Sequence, residues 1–142
     1  MIIKRSTDIA DFLKCLPYEM EIRKKGRDKL EVKTSLQLIQ HNMTNPNFGF
    51  WIAIEEEKEE IDTADIKGYC MGTVSMVPRK LFTFRVYAKD KETKEKLTEA
   101  LWNWAKEYKI KTEAITVFKN IKAIKRKYNF TPVSVNMERE IK

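Results

Sequence analysis

Cysteine, histidine and glycine are all scarce in this chain of 142 residues, and each scarcity closes off a class of function. Cys15 and Cys70 stand far apart and match no Cys-x-x-Cys spacing, so neither a disulfide scaffold nor a zinc site is expected. His41 is the one histidine and cannot build a metal cluster, so no metal is expected. No apolar run approaches the roughly 20 residues that cross a bilayer, which argues against a membrane partner. Ile2 and Ile3 are followed at once by Lys4 and Arg5, unlike a signal peptide or an anchor. A reduced, cytoplasmic setting is therefore expected. Glycine occurs four times, and never between Lys89 and Lys96.

Charge, by contrast, is abundant, at 35% of residues, and it is unevenly spread. Residues 1–46 hold nine Lys/Arg against six Asp/Glu, and residues 47–66 hold one Lys against seven acids. Residues 67–142 hold eighteen basic residues against eight acids. A half so basic attracts polyanions, either the phosphates of a cofactor or a nucleic acid; a lysine-rich solvated surface is the plainer account.

Hydrophobic periodicity divides the chain into ten elements. Ile2–Arg5 reads as a strand, and Thr7 or Asp8 caps a helix with Ile9, Phe12, Leu13 and Leu16 at helical spacing, interrupted or kinked at Pro17. Val32, Leu36, Ile39 and Met43 fit a second helix, which ends in Thr44-Asn45-Pro46-Asn47. Phe48–Ile54 is an aromatic and β-branched strand. Glu55–Asp65 is too charged to bury and reads as an extended loop. Gly68–Val77 and Leu81–Tyr87 are further strands. Thr93–Tyr108 is a helix whose apolar stripe is Leu97, Ala100, Leu101, Trp104, Ala105 and Tyr108. A strand Glu113–Phe118, a basic helix Asn120–Tyr128 and a strictly alternating strand with Val133, Val135 and Met137 follow. The order β-α-α-β-β-β-α-β-α-β, with no linker or repeat, implies a single α/β domain over residues 1–142, a mixed sheet with helices on both faces.

Three segments, in this order and spacing, carry a family resemblance. Lys67-Gly68-Tyr69-Cys70-Met71-Gly72 opens one strand; Leu101 to Tyr108 ends the central helix; Asn120, Ala123, Tyr128-Asn129-Phe130, Thr131-Pro132 and Met137-Glu138-Arg139 close the chain. Together they resemble the GNAT superfamily of acyltransferases, over essentially the whole length. The resemblance implies acetyl-CoA as co-substrate and an amine as acceptor. It also implies that backbone groups around Arg85, Val86 and Tyr87 meet the pantetheine arm. Lys89, Lys91, Thr93 and Lys94, with Asn120, would then meet the phosphates, helped by the unpaired N–H groups of a helix start.

The chain departs from the family pattern in that loop. The family has Gln/Arg-x-x-Gly-x-Gly/Ala, which lets backbone approach a phosphate closely. Here Lys89 to Lys96 contains no glycine, and the loop is about two residues short. Asp90 or Thr93 still caps the helix, but Asp90 and Glu92 would oppose a phosphate, with Lys89, Lys91 and Lys94 compensating from the side.

The acid–base groups are sparse. Lys125 stands where many family members have a tyrosine that protonates the leaving thiolate. Tyr128 is the nearest substitute, with core packing as the favoured alternative. His41 is the only side chain of near-neutral pKa and the candidate base; an incidental position is the plainer reading. Glu113 has no identifiable partner. Trp51, Trp102 and Trp104 are expected to pack, Trp102 by covering a sheet edge or an interface, and the acidic stretch Glu55–Asp65 would suit a cationic amine. Two functions stay open: an N-acyltransferase, or a catalytically degenerate module of the same fold. The module would bind nucleic acid or a protein partner through its basic half, including Lys119, Lys122, Lys125, Arg126 and Lys127. An exposed C-terminal strand edge allows either a monomer or a homodimer.

Overall fold

The computed structural model describes residues 1–25, 32–115, 126–130 and 139. Within them the chain runs β1 (Ile2–Arg5), α1 (Ile9–Lys25), α2 (Val32–Met43), β2 (Phe48–Ile54), a 3-10 turn (Thr63–Asp65), β3 (Ile66–Met76), β4 (Arg79–Ala88), α3 (Lys91–Glu107) and β5 (Glu113–Ala114). The strands form one sheet in the order β1-β2-β3-β4-β5, antiparallel except for the parallel β4–β5 pair. Helices α1 and α2 pack on one face and α3 on the other. Every residue of β2 is buried, because a strand covered on both faces has no polar side to show. The mixed α/β architecture read from the sequence is thus present. Most of the expected helix Asn120–Tyr128, part of the strand Glu113–Phe118 and all of the strand around Val133–Met137 lie outside the described residues; Arg126–Tyr128 are helical.

Helix α1 starts where expected, with Asp8 Oδ1 accepting the Ala10 N–H at 2.9 Å. It does not stop at Pro17 but continues to Lys25. Proline removes one backbone bond and crowds the preceding turn. Here burial of Phe12, Cys15 and Glu19 anchors the helix on both sides of the proline. The charged connection after β2 adds two bonds beside the proline: Thr63 Oγ1 donates to the Lys14 carbonyl at 2.7 Å, and Tyr18 Oη donates to the Thr63 carbonyl at 2.8 Å. That connection is therefore not wholly solvated, since Ile61 is also buried in the α1 face. Leu13, expected on the stripe, is 45% exposed.

Helix α3 begins at Lys91, two residues earlier than its apolar pattern suggests, because Asp90 caps it. Its far end closes with the Ile110 N–H on the Ala105 carbonyl at 3.1 Å and the Lys109 N–H on the Lys106 carbonyl at 2.9 Å. Lys109 takes a left-handed conformation (φ 57°) to make this turn, and buried Ile110 seals it. Trp51 and Trp104 pack edge to face at 5.3 Å in the α3 layer, as expected of core tryptophans.

Candidate active site

Between β3 and β4 the pairing runs Gly72↔Thr83 and then Met71↔Arg85, so Phe84 has no partner. One extra residue in one strand is a β-bulge, and it reverses the side-chain alternation beyond it. Leu81 packs with Leu97 and Leu101 in the α3 layer. Strict alternation would put Arg85 and Tyr87 beside Leu81. Instead Arg85 meets Glu19 of α1, and Tyr87 stacks on Tyr18 of α1 at 4.9 Å between ring centres.

Glu19 is 1% exposed. Arg85 Nε donates to Glu19 Oε1 at 2.6 Å and to Oε2 at 3.2 Å, and Tyr69 Oη donates to Oε2 at 3.4 Å. A buried carboxylate persists only with such compensation. Burial, followed by the charge of Glu19, pushes the Tyr69 phenol well above its usual value, so it stays a donor. Glu19, Ile39, Asn42, Phe48, Met71, Phe84 and Arg85 line a pocket of about 250 Å³ on this face. Phe84, turned out by the bulge, is 56% exposed at its mouth.

The other neighbour of β4 is β5. β4 pairs with β5 only at Leu81↔Glu113 and Phe82↔Ala114, with the Leu81 N–H on the Thr112 carbonyl at 2.9 Å. From Thr83 onward, this edge of β4 has no strand partner among the described residues. The junction is pinned by Glu113, which accepts from Thr83 Oγ1 at 2.5 Å and from Trp102 Nε1 at 3.2 Å. Glu113 thus has two partners where none was expected, and Trp102 reaches β5, the outermost strand among the described residues.

At the end of β4 the chain takes only Lys89 and Asp90 to reach α3. Asp90 Oδ1 accepts the Thr93 N–H at 2.8 Å, which holds the Asp90 carboxyl below its usual range. Thr93 itself is buried, with its hydroxyl on Met1 Sδ at 3.5 Å. The helix start lies tight on β3: a Cβ on Gly68 would fall 2.5 Å from the Tyr87 carbonyl and 3.0 Å from Thr93 Cγ2. Lys67 bridges Glu55 at 2.8 Å and Asp90 at 3.8 Å.

The residues singled out from the sequence fall into separate groups. Arg85 lines the pocket, while Val86 packs under α3 and Tyr87 under α1. Lys89 Nζ lies over the Tyr18 ring at 4.9 Å. Lys91 is exposed and pairs with Glu95 at 3.7 Å. Lys94 Nζ donates to Tyr128 Oη at 2.9 Å and sits 4.7 Å from its ring centre. Tyr128 is 42% exposed rather than packed in the core, and the Lys94 hydrogen bond draws its phenol below the usual value. His41 is exposed on α2, one residue from Asn42 but not itself on the pocket wall. Asn120 lies outside the described residues.

Two pocket residues escape a reading by pattern. Glu19 follows Phe12 by seven residues and so falls on the apolar stripe of α1, a placement that flags a charged residue as buried. Phe84 carries no such signal, since a bulge cannot be read from alternation.

No protein-family model matches the chain, and no curated protein sequence matches it. Solved structures do. An aminoglycoside acetyltransferase, meta-AAC0020 from an uncultured soil metagenomic sample, in complex with sisomicin, superposes with a TM-score of 0.71 at 13% identity, covering 99% of this chain and 96% of that one. A predicted acetyltransferase with acetyl-CoA from Clostridium acetobutylicum gives 0.68 at 17% identity, covering 98% and 95%. AAC(6')-Iy in complex with the bisubstrate analogue CoA-S-monomethyl-acetylneamine gives 0.66 at 10% identity, covering 99% and 97%. The fold of the chain is that of the GNAT acetyltransferases.

Proposed function

We propose that this chain, which carries the GNAT fold, transfers an acetyl group from acetyl-CoA to a primary amine. One observation carries the reading: the pocket opens at the bulge of β4, where Arg85 leaves the phase of Leu81 and joins the pocket wall. By the family resemblance the backbone of Arg85, Val86 and Tyr87 meets an extended amide-bearing arm, which strand N–H and C=O groups suit, and the pocket beside them offers a place for the acceptor. Acetyl-CoA supplies an activated acyl carbon; the amine nitrogen bonds to that carbon, the carbon–sulfur bond breaks, and the thiolate leaves with its electron pair while the surplus proton on nitrogen passes to water or to the thiolate.

The chain's own groups take the following parts. Backbone groups of Arg85, Val86 and Tyr87 bind the arm and point a donor at the acyl oxygen. Lys89, Lys94 and the Tyr128 phenol attract the phosphates, as does Asn120 by the family resemblance, while Asp90 opposes them. Tyr128 is assigned there as a ligand, because Lys94 at the first turn of α3 donates to its hydroxyl and holds it beside the helix start. Both Glu19 oxygens already accept hydrogen bonds, and His41 is off the pocket wall. The amine therefore enters deprotonated, and positioning does most of the catalytic work.

A second reading, a catalytically silent module of the same fold, draws support from Asp90. Its carboxylate takes a helix-start donor that a phosphate would otherwise use. Titrating acetyl-CoA against thermal stability separates the two. At 100 times its dissociation constant the ligand should add about 2.7 kcal/mol. No shift at millimolar acetyl-CoA, with steeply salt-dependent binding to DNA or RNA, would overturn the transferase reading.

A further inference from the structure

We propose that the pocket selects amines that carry their own carboxylate, such as an α-amino acid with an apolar side chain, and that Arg85 is the residue that reads it. The inference rests on the transferase reading for its amine and on the pocket alone for its carboxylate. Glu19 and Arg85 are the charged residues of the pocket wall, and they are not equal in what they show a ligand. Glu19 is 1% exposed, with both oxygens occupied. Arg85 is 24% exposed and spends only Nε on Glu19; its two terminal nitrogens make no hydrogen bond among the described residues. A guanidinium held from behind through Nε presents its terminal donors in a fixed plane, the geometry that matches a carboxylate.

Glu19 therefore orients the guanidinium rather than binding the acceptor. Asn42 supplies a further polar group, and Ile39, Phe48, Met71 and Phe84 make the remaining wall apolar. A volume of about 250 Å³ admits a molecule of the size of leucine, methionine or phenylalanine. Of the acids in the connection before β3, Asp65, Glu55 and Glu57 pair with Lys58, Lys67 and Lys4. The amine that this acidic stretch would suit and the carboxylate that Arg85 would read belong together in one α-amino acid.

Isothermal titration with N-acetyl-L-phenylalanine and its amide isolates the carboxylate without any need for turnover. The acid should bind about tenfold or more tighter than the amide. Glu19→Gln, which removes the opposing charge, should widen that preference. Arg85→Met would leave Glu19 buried and unpaired, so the double variant Glu19→Gln/Arg85→Met, which removes both charges, is the folded control; in it the preference should vanish. Equal binding of acid and amide, binding of neither, or a preference that survives the double variant overturns the proposal. Acetyl transfer to L-phenylalanine and to phenethylamine tells the two readings apart. Equal kcat/KM sinks the carboxylate handle and keeps the transferase. Tight, Arg85-dependent binding of the acid with no acetyl-CoA binding does the reverse.

Discussion

Arg85 and Glu19 are 66 positions apart in the chain and 2.6 Å apart in the fold, and Tyr69 closes the cluster from β3. The pair joins α1 to β4 across the mouth of the pocket, so its loss is felt in stability as well as in binding. Glu19→Ala leaves the Arg85 cation and the Tyr69 hydroxyl without their acceptor and opens a hole in the α1 layer. A loss of about 3 kcal/mol is expected, against about 1 kcal/mol for Glu19→Gln, which keeps an acceptor. Urea unfolding read by tryptophan fluorescence checks both values, and a smaller loss for Ala than for Gln would refute the assignment.

Asp90→Asn keeps a side-chain oxygen for the Thr93 N–H and removes the negative charge at the start of α3. Thermal stability at neutral pH should fall slightly, because the cap is kept but the charge that favours the helix start is gone. Acetyl-CoA affinity should rise roughly two- to fivefold. The wild-type carboxyl is held below its ordinary value of 3.8, so its contribution to stability is present above that pH and fades as pH falls below it. In Asp90→Asn that acid-side loss should be absent.

Tyr128→Phe removes the acceptor of the Lys94 ammonium while keeping the ring beneath it. If Tyr128 serves the phosphates, the variant weakens acetyl-CoA binding severalfold and leaves kcat nearly unchanged. A fall in kcat of about a hundredfold or more, with acetyl-CoA binding intact, would instead mark it as the acid for the leaving thiolate.

Lys109 adopts a left-handed backbone at the end of α3, where a side chain is strained and glycine is not. Lys109→Gly should therefore stabilise the protein by about 0.5–1 kcal/mol, visible as a higher Tm. An unchanged or lower Tm would count against the turn as drawn.

Burial, with the charges of Asp11 and Glu19 adding to it, pushes the Cys15 thiol from 9.0 up to about 12. Cys70 is raised as well, by burial. In the unfolded chain the thiols ionise near their ordinary value while the folded ones stay neutral. Stability is then flat with respect to these groups below about pH 9 and falls as pH rises from 9 toward 12. Cys15→Ala should make that alkaline decline shallower. At pH 8 neither thiol should react with a disulfide reagent until denaturant is added.

Much of the scaffold was legible because its signals are local. The stripe of α3, the unbroken apolar run of β2 and the Asp8 cap each follow from a few adjacent residues. Pro17 suits an interruption or a kink equally well in sequence, since the penalty of a proline is local but what carries the helix through it, burial of Phe12 and Glu19 and Thr63 bonding to Lys14, is tertiary. Glu113 looked unpartnered for the same reason, with Thr83 and Trp102 arriving from β4 and α3. The strand of Arg85 to Tyr87 was found, but not which way each residue turns. The family pattern gives Tyr128 an apolar slot in the core, while its charged neighbours Lys94 and Lys127 hold it at the surface.

The bulge at Phe84 acts on β4 as a frameshift acts on a message. Upstream of it, Leu81 is read by the α3 layer; downstream, Arg85 and Tyr87 are read by α1. Deleting that one residue would restore a regular strand, return Arg85 to the phase of Leu81, and strand Glu19 without its cation. A protein built this way tolerates exchange of the Phe84 side chain far better than loss of its place in the count.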